Sequence, residues 1–102
     1  MQEFIIQGEH IVDLNSFFEY MFSLLTNSDK VKCSYSFDAY NDLLRGGFGK
    51  HKFNECITLK WYNYQFSKKM LGLENILKIL EITLDCDESN HNVKLELYWS
   101  NS

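Results

Sequence analysis

The 102-residue chain contains no proline, and it has neither a long hydrophobic run nor a paired set of cysteines. Without proline, its turns must be formed by glycine, asparagine, aspartate and serine. No stretch of roughly 18 uncharged apolar residues is present, which argues against a membrane-spanning helix. Hydrophobic residues make up 45% of the chain and aromatic residues 16%, a content that excludes intrinsic disorder. The sequence predicts a single domain over residues 1–102.

Three cysteines and three histidines are too scattered to predict a disulfide framework or a metal site. Cys33, Cys56 and Cys86 are odd in number and include no C-x-x-C pair. Free thiols favour a reducing compartment, and an acidic residue at position 3 is not typical of a secretion signal. We therefore expect a cytoplasmic protein with no metal and no cofactor, in which at least two cysteines are small core residues.

Basic residues are scarce, since ten Lys and Arg stand against fourteen Asp and Glu. A formal charge of −4 argues against direct nucleic-acid binding, which requires a basic surface. The charges also lie in three blocks: residues 1–29 carry −5, residues 30–70 carry +5 and residues 71–102 carry −4. Blocks of alternating charge favour neighbouring faces of the domain that pair with each other. The alternative is a charge dipole on the surface that binds a partner.

The spacing of apolar residues predicts strands that alternate with helices. The short apolar run 4–6 and the alternating stretches 56–61 and 93–99 predict strands. Helical spacing is found in four segments, residues 13–25, 36–45, 63–70 and 73–84. Strands joined by helical crossovers predict an α/β fold with a small parallel sheet and helices packed on it.

Helix ends and one apolar side can be predicted in more detail. The first helix begins either at Asp13 or at the capping-box pair Ser16 and Glu19. The second helix is predicted to begin after Ser36 and to end at Gly46. The last helix is predicted to present one apolar side, formed by Leu73, Ile76, Leu77, Leu80 and Leu84.

Three conspicuous segments are interpreted as structural. The glycine-rich loop 46–49 follows a helix and lacks both the P-loop and the dinucleotide-binding spacing, so we interpret it as a helix stop and a turn. Residues 50–52, Lys-His-Lys, are interpreted as a solvated loop tip. Alternate members of the aromatic set in segment 61–66 are interpreted as core rather than as a base-stacking platform.

Asp38 and Asp42 form the candidate functional pair. Their i and i+4 spacing puts both carboxylates on one face of the second helix, with Asn41 between them and Arg45 one turn beyond Asn41. The pair is either two exposed acids on a polar face or a surface presented to a cationic partner. Acid–base catalysis would need two carboxyl groups in different environments within a cleft, so no catalytic residue is predicted. We interpret the pair as a docking surface.

The segment SFDAYNDLLRGGFG, residues 36–49, resembles the N-L-D-A-L-[WN]-D-x-L-x-G segment of the barstar family. The members of this family are small intracellular inhibitors of secreted bacterial ribonucleases. Residues 6–11 resemble the family's opening strand and its I-x-G-x-x-I turn. Residues 59–61, together with Ser67 and residues 71–72, are similar to its second strand and the following helix. The resemblance covers nearly the whole chain.

The resemblance implies a barstar-like three-stranded parallel sheet packed by about four helices. It also implies that the second helix and its adjoining loop plug a ribonuclease active site. Asp38 and Asp42 would imitate RNA phosphates there and take up the cationic groups of the enzyme, with Asp42 as the deeper contact. The predicted partner-binding residues are Ser36, Asp38, Asn41, Asp42, Arg45, Gly46 and Gly47.

Some positions depart from the family pattern. Lys32 and Cys33 stand where the family prototype has aromatic residues, and Asn41 stands where it has a tryptophan. Acids on the prototype's last helix fall near Ile82 and Cys86 here, although Glu81 and Asp85 are adjacent. Arg45 and Lys50 flank the acidic pair.

We therefore expect a non-catalytic immunity-type inhibitor of a small, basic secreted ribonuclease or of a ribonuclease toxin domain. It would act without direct contact to nucleic acid or membrane. The alternative is a barstar-like regulatory module that binds a partner other than a ribonuclease.

Overall fold

The computed structural model describes residues 2–27, 34–85 and 91–100. Three strands of this part of the chain, β1 (Gln2–Gln7), β2 (Ile57–Tyr62) and β3 (Val93–Leu97), form one parallel sheet. Their order is β1-β2-β3, so β2 lies in the middle and the other two strands form the edges. The three-stranded parallel sheet is as expected.

Four α-helices connect and cover the strands: α1 (Leu14–Leu25), α2 (Phe37–Arg45), α3 (Tyr64–Leu71) and α4 (Leu73–Leu84). A short 3-10 helix, Gly8–His10, follows β1. The α/β class and the number of helices expected from the sequence are therefore confirmed. The last strand ends at Leu97, two residues earlier than predicted, and Trp99 beyond it is exposed.

The start of α1 is decided by Asp13. The Ser16 N–H donates to Asp13 Oδ1 at 2.7 Å, and the Asp13 N–H donates to Ser16 Oγ at 3.0 Å. This reciprocal pair is a capping box in which Asp13 is the N-cap and Ser16 the N3 residue. The alternative pair of Ser16 and Glu19 is wrong, because Ser16 lies inside the helix.

One face of the sheet carries the core. Ile57, Leu59 and Trp61 of β2 are buried, and Phe17 of α1 stacks on Trp61 with ring centroids 5.8 Å apart. The indole N–H of Trp61 donates to Ser67 Oγ at 3.0 Å, so the buried polar atom of the largest core side chain is satisfied. This arrangement confirms the core interpretation for Trp61.

The predicted apolar side of α4 is wrong in part. The residues that α4 buries are Ile76, Ile79 and Thr83. Leu73, Leu77 and Leu84 of the predicted side are 62%, 54% and 58% exposed, and Leu80 is only partly buried. Apolar residues cover more than one side of this helix, and its packing between α2 and β3 selects the side that is buried.

Two further predictions concern single residues. Cys56 is exposed, so it is not a core residue, whereas Cys33 and Cys86 lie outside the described residues. In the segment 50–52, Lys50 and Lys52 are exposed as predicted, but His51 is buried.

None of the helices in the described ranges is long and apolar enough to cross a membrane.

Candidate partner-binding surface

Helix α2 is built so that its two sides have opposite chemistry. The Ala39 N–H donates to Ser36 Oγ at 3.1 Å, which makes Ser36 the N-cap as predicted. Tyr40, Leu43 and Leu44 are buried against the core. The opposite side of the helix therefore faces solvent with its acidic residues.

Asp42 is paired within its own helix. Its Oδ1 lies 3.0 Å from Arg45 Nη1, and the Asp42 side chain is 57% exposed while that of Arg45 is 34% exposed. An exposed pair of this kind contributes about 0–1 kcal/mol, because water competes for both charges. Arg45 thus partly neutralises Asp42.

Asp38 lies in a groove between α2 and α4. The groove has a volume of about 260 Å³ and brings side chains of both helices together. Its lining residues are Phe37, Asp38, Asn41, Lys78, Glu81, Ile82 and Asp85. Three carboxylates and one ammonium group give this groove, which we call the α2–α4 groove, a net negative charge.

The α4 side of this groove was not predicted as part of the site. Lys78, Glu81, Ile82 and Asp85 repeat every three or four residues, so they share one side of α4. The sequence alone indicates that side, but it does not say which other helix lies next to it. The Lys78 ammonium lies 5.2 Å from the centroid of the Phe37 ring and is held near α2 by this cation–π contact.

Asn41 lines the groove and has a buried side-chain oxygen without a partner among the described residues. Its Oδ1 is buried, and no described residue donates a hydrogen bond to it. A buried acceptor without a partner costs free energy, roughly 1–3 kcal/mol.

Gly46 and Gly47 differ in role. Gly46 is buried with a φ of 90°, and a Cβ there would lie 2.3 Å from the Lys52 carbonyl oxygen. Gly47 is exposed with a φ of 89°, and the nearest atom to a Cβ would be Phe53 Cβ at 3.9 Å. Gly46 therefore serves loop packing, and Gly47 presents open backbone at the surface.

His51 anchors this loop to the end of α2. Its Nε2 lies 3.2 Å from the Leu44 carbonyl oxygen, so Nε2 carries the proton and donates. The Gly47 N–H donates to the His51 carbonyl at 2.8 Å and closes the loop. This arrangement is consistent with the interpretation of the glycine-rich segment as a helix stop and a turn. His51, however, is buried and does not belong to a solvated loop tip.

The predicted site residues thus fall into four groups. Asp38 and Asn41 line the α2–α4 groove, and Asp42 with Arg45 forms an exposed pair beside it. Gly47 is exposed on the neighbouring loop. Ser36 and Gly46 have internal roles, as a helix cap and as a packed turn.

The described residues hold no group of three or more His, Cys, Asp or Glu side chains that fits a metal ion.

No protein-family model matches the chain, and the search of curated proteins finds no match either. What the surface offers is carboxylate oxygens on an open groove, which are acceptors for cationic and N–H donor groups.

Proposed function

We propose that the protein is a stoichiometric inhibitor of a small, basic secreted ribonuclease or ribonuclease toxin domain. In this proposal α2 and the adjoining loop occupy the active site of the enzyme. The protein would act in the cytoplasm of the producing cell and shield it from the enzyme. The observation that carries the proposal is the acidic α2–α4 groove, with Asp38 of α2 opposite Glu81 and Asp85.

Charge complementarity supports this partner. An enzyme that cleaves RNA binds phosphate through Arg, Lys and protonated His groups, and these groups bind carboxylates by the same charge-assisted hydrogen bonds. The groove presents three carboxylates within one open depression of about 260 Å³. A protein surface of this kind imitates the phosphates of RNA.

The Asp42–Arg45 pair is compatible with such a partner. Because both side chains are partly exposed, the contact between Arg45 and Asp42 contributes only about 0–1 kcal/mol, so little free energy is lost when a partner cation replaces Arg45 at Asp42. A bidentate guanidinium from the partner binds a carboxylate more strongly than the single Nη1–Oδ1 contact between Arg45 and Asp42. Asp42 is therefore free to exchange one cation for another.

The family resemblance supports the same assignment. It places Asp38 and Asp42 at the anion-mimic positions, and both are on the solvent side of α2. Ser36 and Gly46 would then contribute by holding α2 and the loop in shape. Asn41 and Gly47 would contribute a carboxamide and open backbone to the contact.

The test is a titration of ribonuclease activity with purified protein against a panel of small basic secreted ribonucleases and ribonuclease toxin domains. We expect inhibition at a one-to-one ratio for at least one enzyme. The double variant Asp38→Ala/Asp42→Ala should weaken inhibition by at least about a hundredfold, since desolvated charge pairs at interfaces are worth several kcal/mol.

Glu74→Ala is the matched control. Glu74 is an exposed acid of α4 that does not line the groove, so its removal lowers the net negative charge without touching the proposed surface. Equal inhibition by the parent and the double variant would show that the acidic pair is not the contact.

The alternative is a regulatory module that binds a partner other than a ribonuclease. Lys78 and Arg45 favour it in one respect, because they make the surface mixed in charge rather than purely anionic. Affinity capture with the parent and with Asp38→Ala/Asp42→Ala separates the two. Recovery of a non-nuclease partner only by the parent would favour the module.

A further inference from the structure

The C-terminal half of α4 carries an apolar depression at the surface. It has a volume of about 480 Å³, and we call it the leucine depression. Leu77 and Leu84 are 54% and 58% exposed, and Leu80 between them is partly buried. Exposed apolar side chains that lie next to each other, rather than singly, are typical of an interaction surface. The lining residues are Leu77, Leu80, Glu81, Leu84 and Asp85.

The leucine depression is continuous with the α2–α4 groove. Glu81 and Asp85 line both of them. At about 100° per residue, Glu81 lies on α4 between the three leucines and the groove residues Lys78 and Ile82. The groove and the depression are therefore two parts of one surface, acidic on the α2 side and apolar on the other.

Glu81 has a leucine on each side along the helix. Leu77 precedes it by four residues and Leu84 follows it by three. Side chains at these spacings are neighbours on a helix, with Cβ atoms about 5–6 Å apart. A cationic group that binds the Glu81 carboxylate consequently lies beside both leucines.

The combination of charge and apolar surface defines the chemistry of the occupant. A partner with cations alone would leave the leucines in water, and a partner with apolar groups alone would bury Glu81 without a counterion. A Lys or Arg side chain can place its charged end at Glu81 and its methylene groups on apolar surface. Apolar neighbours that exclude water strengthen such a charge pair.

We propose that the partner of the α2–α4 groove also covers the leucine depression, with a basic side chain at Glu81 and apolar side chains on Leu77, Leu80 and Leu84. This inference rests on the proposed function, in which that partner is a basic ribonuclease. It adds that the ribonuclease has apolar side chains next to the cations of its active site. The depression then selects between enzymes of equal charge, because a polar surface in the same place would leave the leucines unpaired.

The test uses Leu77→Gln and Leu84→Gln against a ribonuclease that the parent protein inhibits. Both leucines are exposed and glutamine is a good helix former, so the substitutions preserve the fold. Each variant should raise the inhibition constant about tenfold, since each removes apolar surface that the partner buries. Circular dichroism melting identifies any loss that comes from unfolding.

Leu73→Gln is the matched control. Leu73 is a leucine of the same helix and is 62% exposed, but it lines neither the groove nor the depression. We expect this variant to inhibit like the parent. If Leu77→Gln and Leu84→Gln also inhibit like the parent, the inference is wrong.

Calorimetry at several temperatures and salt concentrations separates the apolar contact from the charged one. Leu77→Gln and Leu84→Gln should make the heat-capacity change of binding less negative and leave its salt dependence unaltered. Asp38→Ala/Asp42→Ala should reduce the salt dependence. Leucine variants that change only the salt dependence would act through Glu81, which would overturn the apolar contact.

The outcomes separate this inference from the proposed function. If only Asp38→Ala/Asp42→Ala loses inhibition, the acidic plug stands and the leucine contact is wrong. If only the leucine variants lose it, the leucine contact stands and the acidic pair is not the plug. Sedimentation equilibrium of the parent tests a second copy as occupant: a dimer that Leu77→Gln dissociates would overturn the inference.

Discussion

At the scale of single residues, neighbouring positions in the loop after α2 follow different constraints. Gly46 and Gly47 have nearly the same positive φ, yet only at Gly46 would an added Cβ come closer than 3 Å to neighbouring atoms. The sequence marks both glycines as flexible turn residues. Only the packing of His51 and Lys52 against the loop separates a glycine that is required from one that is tolerated.

Replacing these glycines should therefore have unequal effects. Gly46→Ala should reduce the free energy of unfolding by about 2–4 kcal/mol, because it adds a backbone strain and a close contact with the Lys52 carbonyl. Gly47→Ala adds only the strain and should cost about 1–2 kcal/mol. Urea unfolding of both variants measures the difference, and equal losses would contradict the packing argument.

At the scale of elements, the α2–α4 groove depends on how two helices are held together. Tyr40 of α2 and Thr83 of α4 are both buried, and their hydroxyl oxygens lie 2.6 Å apart. Thr83 donates its own hydroxyl proton to the Ile79 carbonyl at 2.7 Å, so Tyr40 must be the donor in the bond between the helices. Burial raises the pKa of Tyr40, which keeps this donor protonated.

This arrangement predicts an asymmetry between two conservative substitutions. Tyr40→Phe should cost about 1 kcal/mol of unfolding free energy, because Thr83 keeps its bond to Ile79. Thr83→Val should cost about 2 kcal/mol, because it leaves the buried Tyr40 hydroxyl without an acceptor. A double-mutant cycle measures the two costs and their coupling. The double variant should be no worse than Thr83→Val alone, and additive losses would argue against the bond.

The helices also show which structural features a sequence pattern can predict. Asp13 and Ser36 were identified as possible caps because a cap involves only residues within one turn of each other. The predicted apolar side of α4 was wrong in part because burial depends on the neighbours of the helix. Lys78, Glu81 and Asp85 were missing from the predicted site for the same reason.

At the scale of the whole molecule, the charge blocks pair only partly. Lys60 of the basic block lies 3.3 Å from Glu3 of the first acidic block, across β1 and β2. The hydrogen bond and charge of Glu3 raise the pKa of Lys60. Arg45 and Asp42 of the same basic block pair with each other instead. The block pattern thus gives the net charge of each region and not its contacts.

Protonation of His91 should lower the free energy of unfolding of the domain in mild acid. Its Nε2 lies 3.3 Å from the Thr83 carbonyl, and burial, followed by the charge of Arg45, lowers its pKa from the ordinary value of 6.5. The folded protein therefore binds fewer protons than the unfolded chain, and the contribution of His91 is lost as pH falls below about 6.5. Urea unfolding between pH 8 and pH 5 measures this slope.

His91→Gln should make that slope shallower. A slope that is the same in the parent and in His91→Gln would show that another group carries the pH dependence.

The sequence by itself determined the α/β class, the helices and strands to within two residues, and the exposed acidic side of α2. These features depend on periodicity and on caps, which are local properties of the chain. Only the tertiary structure decided that α4 completes the groove with Glu81 and Asp85, and that Leu73, Leu77 and Leu84 of α4 remain exposed. The physical reason is that burial and charge proximity arise between residues distant in sequence, so they exist only once the helices and strands have packed.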